Sequence, residues 1–473
     1  MEKLIMVSNT KVLTPFGLTM LIIIAIASLR DVPQVATYGL GSVTVYLTAA
    51  IFFFIPIAMI TAELVSTWPD EGGSFFWIKT AFGQHLAFVC LVFYWFQNVL
   101  WYPVITTYGA TSFAYFWDPV HAAQLAQDPF YISSFIIIAQ WLQTAILFRG
   151  GLEFMGKIGE FSVLLGFLLP AVVLVLAAFF GFLSGMPSYL HVSPEAFIPQ
   201  IKTWGDLTFA VTVVLAFMGI EMTCTHVKNL QGGYHAFVKS IAAATLCIVC
   251  VFIMSALAVA VALPHDSIVL QSGLVASLKV LLTHFHLEYL ARYISLCMTI
   301  GVIGSVSAWL TGPSRMMLVA AKEGILPKVF AYQWKNTAPR MVLLESILVT
   351  LAATLFFVYP SVTEAYFTLS DCAVQLYLIV YFVIIFAAVT LRFRHPNQQS
   401  SFRVPGGLLG LYGTAAIALV GCGAGFLIGF IPPSQFSLVN PHYFSLFILG
   451  LILVVAVLAS GLYQYRRHYN YLH

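Results

Sequence analysis

Charge is what this chain has least of. Only 8% of its 473 residues are charged, against about a quarter in soluble domains, and that shortage excludes an ordinary water-facing surface. The near balance of 21 Lys+Arg against 18 Asp+Glu lacks the basic excess that nucleic-acid binding needs. No Gly/Ser linker, charge block or soluble insert interrupts the chain, so a second domain is not expected. H-E-x-x-H and G-x-S-x-G are both missing, and His226 in TCTHVKN has no companion at metal spacing, so neither an enzyme nor a metal or other cofactor is expected. The seven cysteines (Cys90, Cys224, Cys247, Cys250, Cys297, Cys372 and Cys422) fall in apolar stretches without metal spacing and read as buried free thiols.

Apolar length is what the chain has in excess, with 60% hydrophobic residues. Stretches such as Val163 to Phe182 and Tyr443 to Leu462 reach the roughly 20 residues that cross a bilayer as helix. Hydropathy predicts about twelve spans, centred near residues 27, 54, 101, 140, 169, 218, 250, 304, 350, 378, 418 and 454. The expectation is a single all-α polytopic membrane domain over residues 1–473, with the lipid bilayer as its surroundings. The first apolar segment has no small-residue cleavage site and reads as a retained helix rather than a signal peptide.

Basic residues fix the orientation. With both termini cytoplasmic, the inward loops collect Lys79, Arg149, Lys157, Lys322, Lys328, Arg392, Arg394, Arg466 and Arg467 among others, while the outward loops keep only Lys202, Lys279 and Arg292. That asymmetry satisfies the positive-inside rule and requires an even number of spans.

Charges at membrane depth are costly, so each one asks for a reason. Glu160, Arg315 and Glu345 sit within about two turns of basic loops and read as interfacial. Span 1 is different: "IASLRDVPQVATYG" places Arg30 and Asp31 beside Pro33, whose missing amide and steric clash predict an interrupted helix. Span 6 carries a matching irregularity in "LAFMGIEMTCTHVKN", where Gly219 loosens the helix next to the isolated carboxylate of Glu221. Interrupted segments in corresponding positions of two halves point to a transporter of inverted five-helix repeats. Freed amides at a half-helix start would bind an anionic group and freed carbonyls a cation, and an amino acid zwitterion presents both. Val32 and Ile220 complete the two breaks.

Further candidates lie on spans 3, 8 and 10. "FQNVLWYP" sets Gln97 and Asn98 in an apolar run, and buried amides need partners. "VSAWLTGPSRMML" puts Trp309 ahead of a Gly312-Pro313 break. In "SDCAVQLYLIVYF", Tyr377 and Tyr381 share one helical face, with Asp371 and Gln375 on a neighbouring one.

These residues resemble the amino acid/polyamine/organocation superfamily and, within it, the bacterial glutamate/γ-aminobutyrate antiporters. The markers are "VPQVATYG", "FFIPIAMITAEL" with "DEGGSFFWIKTAFG", "FMGIEMTCTHV", "SAWLTGPSRMMLVAAKEGILP" and "YLIVYF", spread over almost the whole chain. The resemblance implies a LeuT-like fold: spans 1–5 (about 14–184) and 6–10 (about 206–391) as inverted repeats, with spans 11 and 12 (about 407–464) peripheral. It implies an amino acid antiporter of the bacterial cytoplasmic membrane, a monomer or homodimer, working by alternating access. Arg30 to Pro33 and Gly219 to Glu221 would then frame the substrate, with Gln97, Trp309, Tyr377 and Tyr381 lining or closing the path. Two departures stand out. The acid-resistance member of the family carries a tyrosine at the position of Arg30. It also has a long C-terminal plug, whereas this sequence stops at His473, so plug-type pH control is expected to be absent.

Alternatives remain open at this level. Arg30 either holds a substrate's second carboxylate, favouring glutamate-like substrates, or pairs internally with Asp31 or Glu221. An unpaired Asp31 or Asp371 would instead suit cationic substrates. A proton-coupled importer on the same fold would use Glu221 or Asp371 as its titrating group. A sensor without transport would need a signalling domain, for which the sequence offers no candidate.

Overall fold

Span 1 stops halfway. In the computed structural model, which describes residues 14–70, 72–222, 231–269, 272–335, 337–433 and 441–472, a first half-helix runs Pro15–Ile26. Ala27 and Ser28 then turn extended, at ψ 121° and 133°. A 3-10 turn Leu29–Asp31 follows, and a short helix Val32–Ala36 completes the span. The break therefore precedes Pro33 by several residues. Proline occupies the first turn of the second half-helix, where its missing N–H costs nothing, so it starts the new half rather than breaking the old one. Its ring packs outward: a Cβ on Gly273 would stand 3.0 Å from Pro33 Cβ.

Span 6 repeats the pattern. A 3-10 turn Trp204–Leu207 leads into helix Thr208–Ala216, and the helix gives way at Phe217 to Gly219, whose φ is +114°. Cys224 and His226 lie outside the described residues.

Eleven helices among the described residues are long and apolar enough to cross a membrane, and they coincide with spans 2 to 12; broken span 1 is the twelfth. The outward segment 264–288 holds an additional short helix, Gly273–His284. Spans 2 and 5 each contain a π-helical turn, Ala50–Phe54 and Leu164–Leu168, just ahead of Pro56 and Pro170, where a missing proline amide disturbs the hydrogen-bond ladder. Spans 5 and 8 pass backbone to backbone, since a Cβ on Gly166 would lie 2.0 Å from the Gly301 Cα. Such contact is how membrane helices pack without a hydrophobic driving force.

Burial grades the spans. In the apolar windows of spans 3, 8 and 10, 78%, 71% and 72% of residues are buried, against 28% and 22% in spans 11 and 12, which ride on the outside. At the end carrying the basic loops, spans 2 and 10 are tied together. Arg392 Nη1 meets Glu63 Oε2 at 2.6 Å, and the same oxygen accepts the Val404 amide at 2.7 Å. Nearby, the Thr67 hydroxyl donates to Ser400 Oγ at 2.8 Å. The thiols divide in exposure: Cys90, Cys372 and Cys422 are buried, Cys247 and Cys297 half-buried, and Cys250 exposed. The expectation of uniformly buried cysteines is corrected there, because Cys250 lies on the outer face of span 7.

Candidate functional site

The two breaks meet at Trp309. Its indole N–H donates to the carbonyl of Ala25, in the last turn of the first half-helix, at 2.9 Å. Gly219 lies so near that an added Cβ would stand 2.7 Å from the Trp309 ring and 3.1 Å from that carbonyl. With φ at +114°, the position suits glycine on both counts.

Around this junction lies a small cavity of about 20 Å³, lined by Ala25, Ile26, Ser28, Arg30, Asp31, Gln97, Asn98, Trp101, Leu215, Ala216, Met218, Trp309 and Tyr377. Spans 1, 3, 6, 8 and 10 all contribute. Trp309 is the centre of an aromatic wall, with ring centroids 5.6 Å from Trp101, 6.1 Å from Tyr377 and 6.2 Å from Tyr94.

Arg30 and Asp31 are 3% and 2% exposed and form a bidentate pair, Nε to Oδ1 at 2.8 Å and Nη2 to Oδ2 at 2.6 Å. Such a fork cancels both charges within the break. The Ser28 hydroxyl accepts the Arg30 amide at 3.2 Å, capping the turn that starts the second half. Two donors of cavity-lining residues make no hydrogen bond, Arg30 Nη1 and Asn98 Nδ2; the Arg30 guanidinium stands in the surroundings of the Tyr366 hydroxyl, and the side-chain amide of Gln97 donates to Asn98 Oδ1 at 2.7 Å. Buried donors of this kind are costly unless something accepts from them.

Glu221 is satisfied from span 10. The Tyr377 hydroxyl donates to its Oε1, and the Tyr381 hydroxyl donates to Oε2 at 2.5 Å while accepting the Gly219 amide at 2.9 Å. The tyrosine pair thus clamps the break in span 6.

Of the residues singled out from the sequence, Arg30, Asp31, Gln97, Trp309 and Tyr377 line the cavity. Gly219, Glu221 and Tyr381 support it from behind. Val32, Pro33 and Ile220 are buried without lining it. Asp371 is also buried but stands apart, its Oδ2 without a hydrogen bond, next to Gln375, whose side-chain amide is likewise unsatisfied. Glu345, read as interfacial, is 0% exposed; its position nearly two turns inside span 9 faces neighbouring helices, not the basic loop. Sequence reasoning missed Ala25, Ser28, Trp101 and Met218. A cap signature in Ser28-Leu29-Arg30 would have revealed the second, but a carbonyl such as Ala25's carries no sequence signal.

Half-helices facing each other across a small cavity inside a helical bundle are the layout of a membrane transporter. The chain belongs to the amino acid permease family, whose model matches residues 13–456; it is an amino acid transporter. It is 30% identical over 451 residues to an uncharacterized transporter of Legionella pneumophila, covering 95% of this chain and 96% of that one. A glutamate/gamma-aminobutyrate antiporter of Lactococcus lactis is 26% identical over 464 residues, with 96% and 91% covered. A probable agmatine/putrescine antiporter of the same species is 23% identical over 386 residues, with 80% and 79% covered.

Proposed function

We propose that the chain is an exchanger, trading a glutamate-type amino acid for γ-aminobutyrate or a related amino acid by alternating access across the bacterial cytoplasmic membrane. Spans 1–5 and 6–10 act as inverted repeats, with both termini and the basic loops on the cytoplasmic side. The observation that carries the reading is the pair of unsatisfied buried donors, Arg30 Nη1 and Asn98 Nδ2, at a cavity whose charges otherwise cancel. They suit a substrate carboxylate. The aliphatic part of the substrate lies against Trp309 and Trp101, and the exposed backbone of the breaks takes the α-amino and α-carboxyl groups. Likeness to a glutamate/gamma-aminobutyrate antiporter supports the substrate class.

Countertransport tests this. Proteoliposomes preloaded with labelled glutamate release it when unlabelled glutamate or γ-aminobutyrate is added outside, and retain it in buffer alone. Uptake into empty vesicles driven by a proton gradient would instead establish a proton-coupled importer. Asp371, whose Oδ2 is buried without a hydrogen bond, favours that second reading.

A further inference from the structure

Glu345 is a wholly buried carboxylate that the transport reading does not use. It occupies the inward stripe of span 9, Pro339–Ala353, together with Val342, Ser346 and Val349. The Ser314 hydroxyl of span 8 donates to its Oε2 at 2.9 Å, while Oε1 makes no hydrogen bond. Two buried donors of span 3, the Trp95 indole N–H and the Tyr102 hydroxyl, stand in its electrostatic surroundings and also lack hydrogen bonds. Serine, tyrosine and tryptophan all offer hydrogens that a carboxylate accepts. Keeping an acid inside a membrane bundle is expensive, so its retention calls for a function.

The placement of those donors supplies one. Trp95 and Tyr102 are seven residues apart, two turns along the same face of span 3. The adjoining face of that helix, turned by roughly 40–100°, carries Tyr94, Asn98 and Trp101 to the cavity and its aromatic wall. Ser314 follows Pro313, which has no N–H to bond the Trp309 carbonyl four residues earlier. The stretch of span 8 bearing Trp309 is thus short of one helical bond and is held at its far end by Glu345. We propose that Glu345 is a positioning residue: bonded to the Pro313-Ser314 turn and facing the buried donors of span 3, it sets the rotation of span 3 and the placement of Trp309 over the cavity.

The proposal rests on the transporter reading, and its test is chosen to separate the two. The full chain labelled with 5-fluorotryptophan gives a 19F resonance for Trp309, assigned by its loss in Trp309→Phe. That resonance shifts in Glu345→Ala and in Ser314→Ala, and stays at the wild-type position in Glu345→Gln, which keeps an acceptor oxygen. In counterflow of whichever labelled amino acid the wild type exchanges fastest, the same two variants raise KM by roughly 10-fold with turnover nearly unchanged. An unmoved Trp309 resonance overturns the proposal, as does a fall in turnover and folded yield at unchanged KM. If the wild type exchanges no amino acid, the exchange reading falls and the resonance alone decides. If Glu345→Ala does not fold, Ser314→Ala carries the test.

Discussion

The Tyr381 hydroxyl donates to Glu221 at 2.5 Å and accepts the Gly219 amide at 2.9 Å, so one phenol closes the gap in the interrupted helix of span 6. Removing it in Tyr381→Phe leaves a buried amide and a buried carboxylate oxygen short of a partner, at a cost of about 1–3 kcal/mol, roughly 5- to 150-fold if it falls on substrate binding. Tyr377→Phe acts on the same carboxylate, so the double variant should cost less than the sum of the singles. Substrate affinity in proteoliposomes checks both expectations; full additivity would mean the two phenols work independently.

Gly219→Ala should abolish exchange while leaving membrane insertion intact. Its methyl would stand 2.7 Å from the Trp309 ring at a φ of +114°, so either the indole leaves its bond to Ala25 or the break straightens. Gly461→Ala, with no atom within 4 Å of the added carbon, is the control. Equal transport by both variants contradicts the close approach.

Arg30→Ala strands the Asp31 carboxylate in the cavity wall, and breaking a buried pair this way costs about 3–5 kcal/mol. Replacing both residues, as in Arg30→Met with Asp31→Leu, should restore much of the melting temperature in detergent. Competition against labelled substrate then separates roles: loss confined to acidic competitors assigns Arg30 to the substrate, and uniform loss assigns it to the pair alone.

Gly301→Ala would place a methyl 2.6 Å from the Gly166 Cα, forcing spans 5 and 8 apart. Overpacking of this kind costs about 1–3 kcal/mol and should lower the melting temperature by several degrees. An unchanged melting curve would show that the two backbones do not touch.

Much of this arrangement is written locally in the chain. Arg30 and Asp31 in an apolar run, and Gly219 beside Glu221, announce the two breaks because each violates what a membrane helix tolerates. Their exact place is less legible: Pro33 suggests an interruption at itself, yet the chain opens at Ala27 and Ser28, where cap and extended backbone, not residue type, decide. Contacts between distant segments are not legible at all. Tyr381 and Glu221 are 160 residues apart, and nothing in either stretch names the other. The same blindness hid Glu345, whose nearness to a basic loop in sequence says nothing about the direction its helix face points.

The tie at the basic end of the bundle bears on how such a mouth would open. Glu63 Oε2 holds the Arg392 guanidinium and the Val404 amide at once, so spans 2, 10 and the approach to span 11 converge on a single atom. Releasing either partner alone leaves the carboxylate half-unsatisfied in a buried place. Parting spans 2 and 10 at that end therefore requires both donors to leave one buried oxygen, so the two contacts are coupled through Glu63.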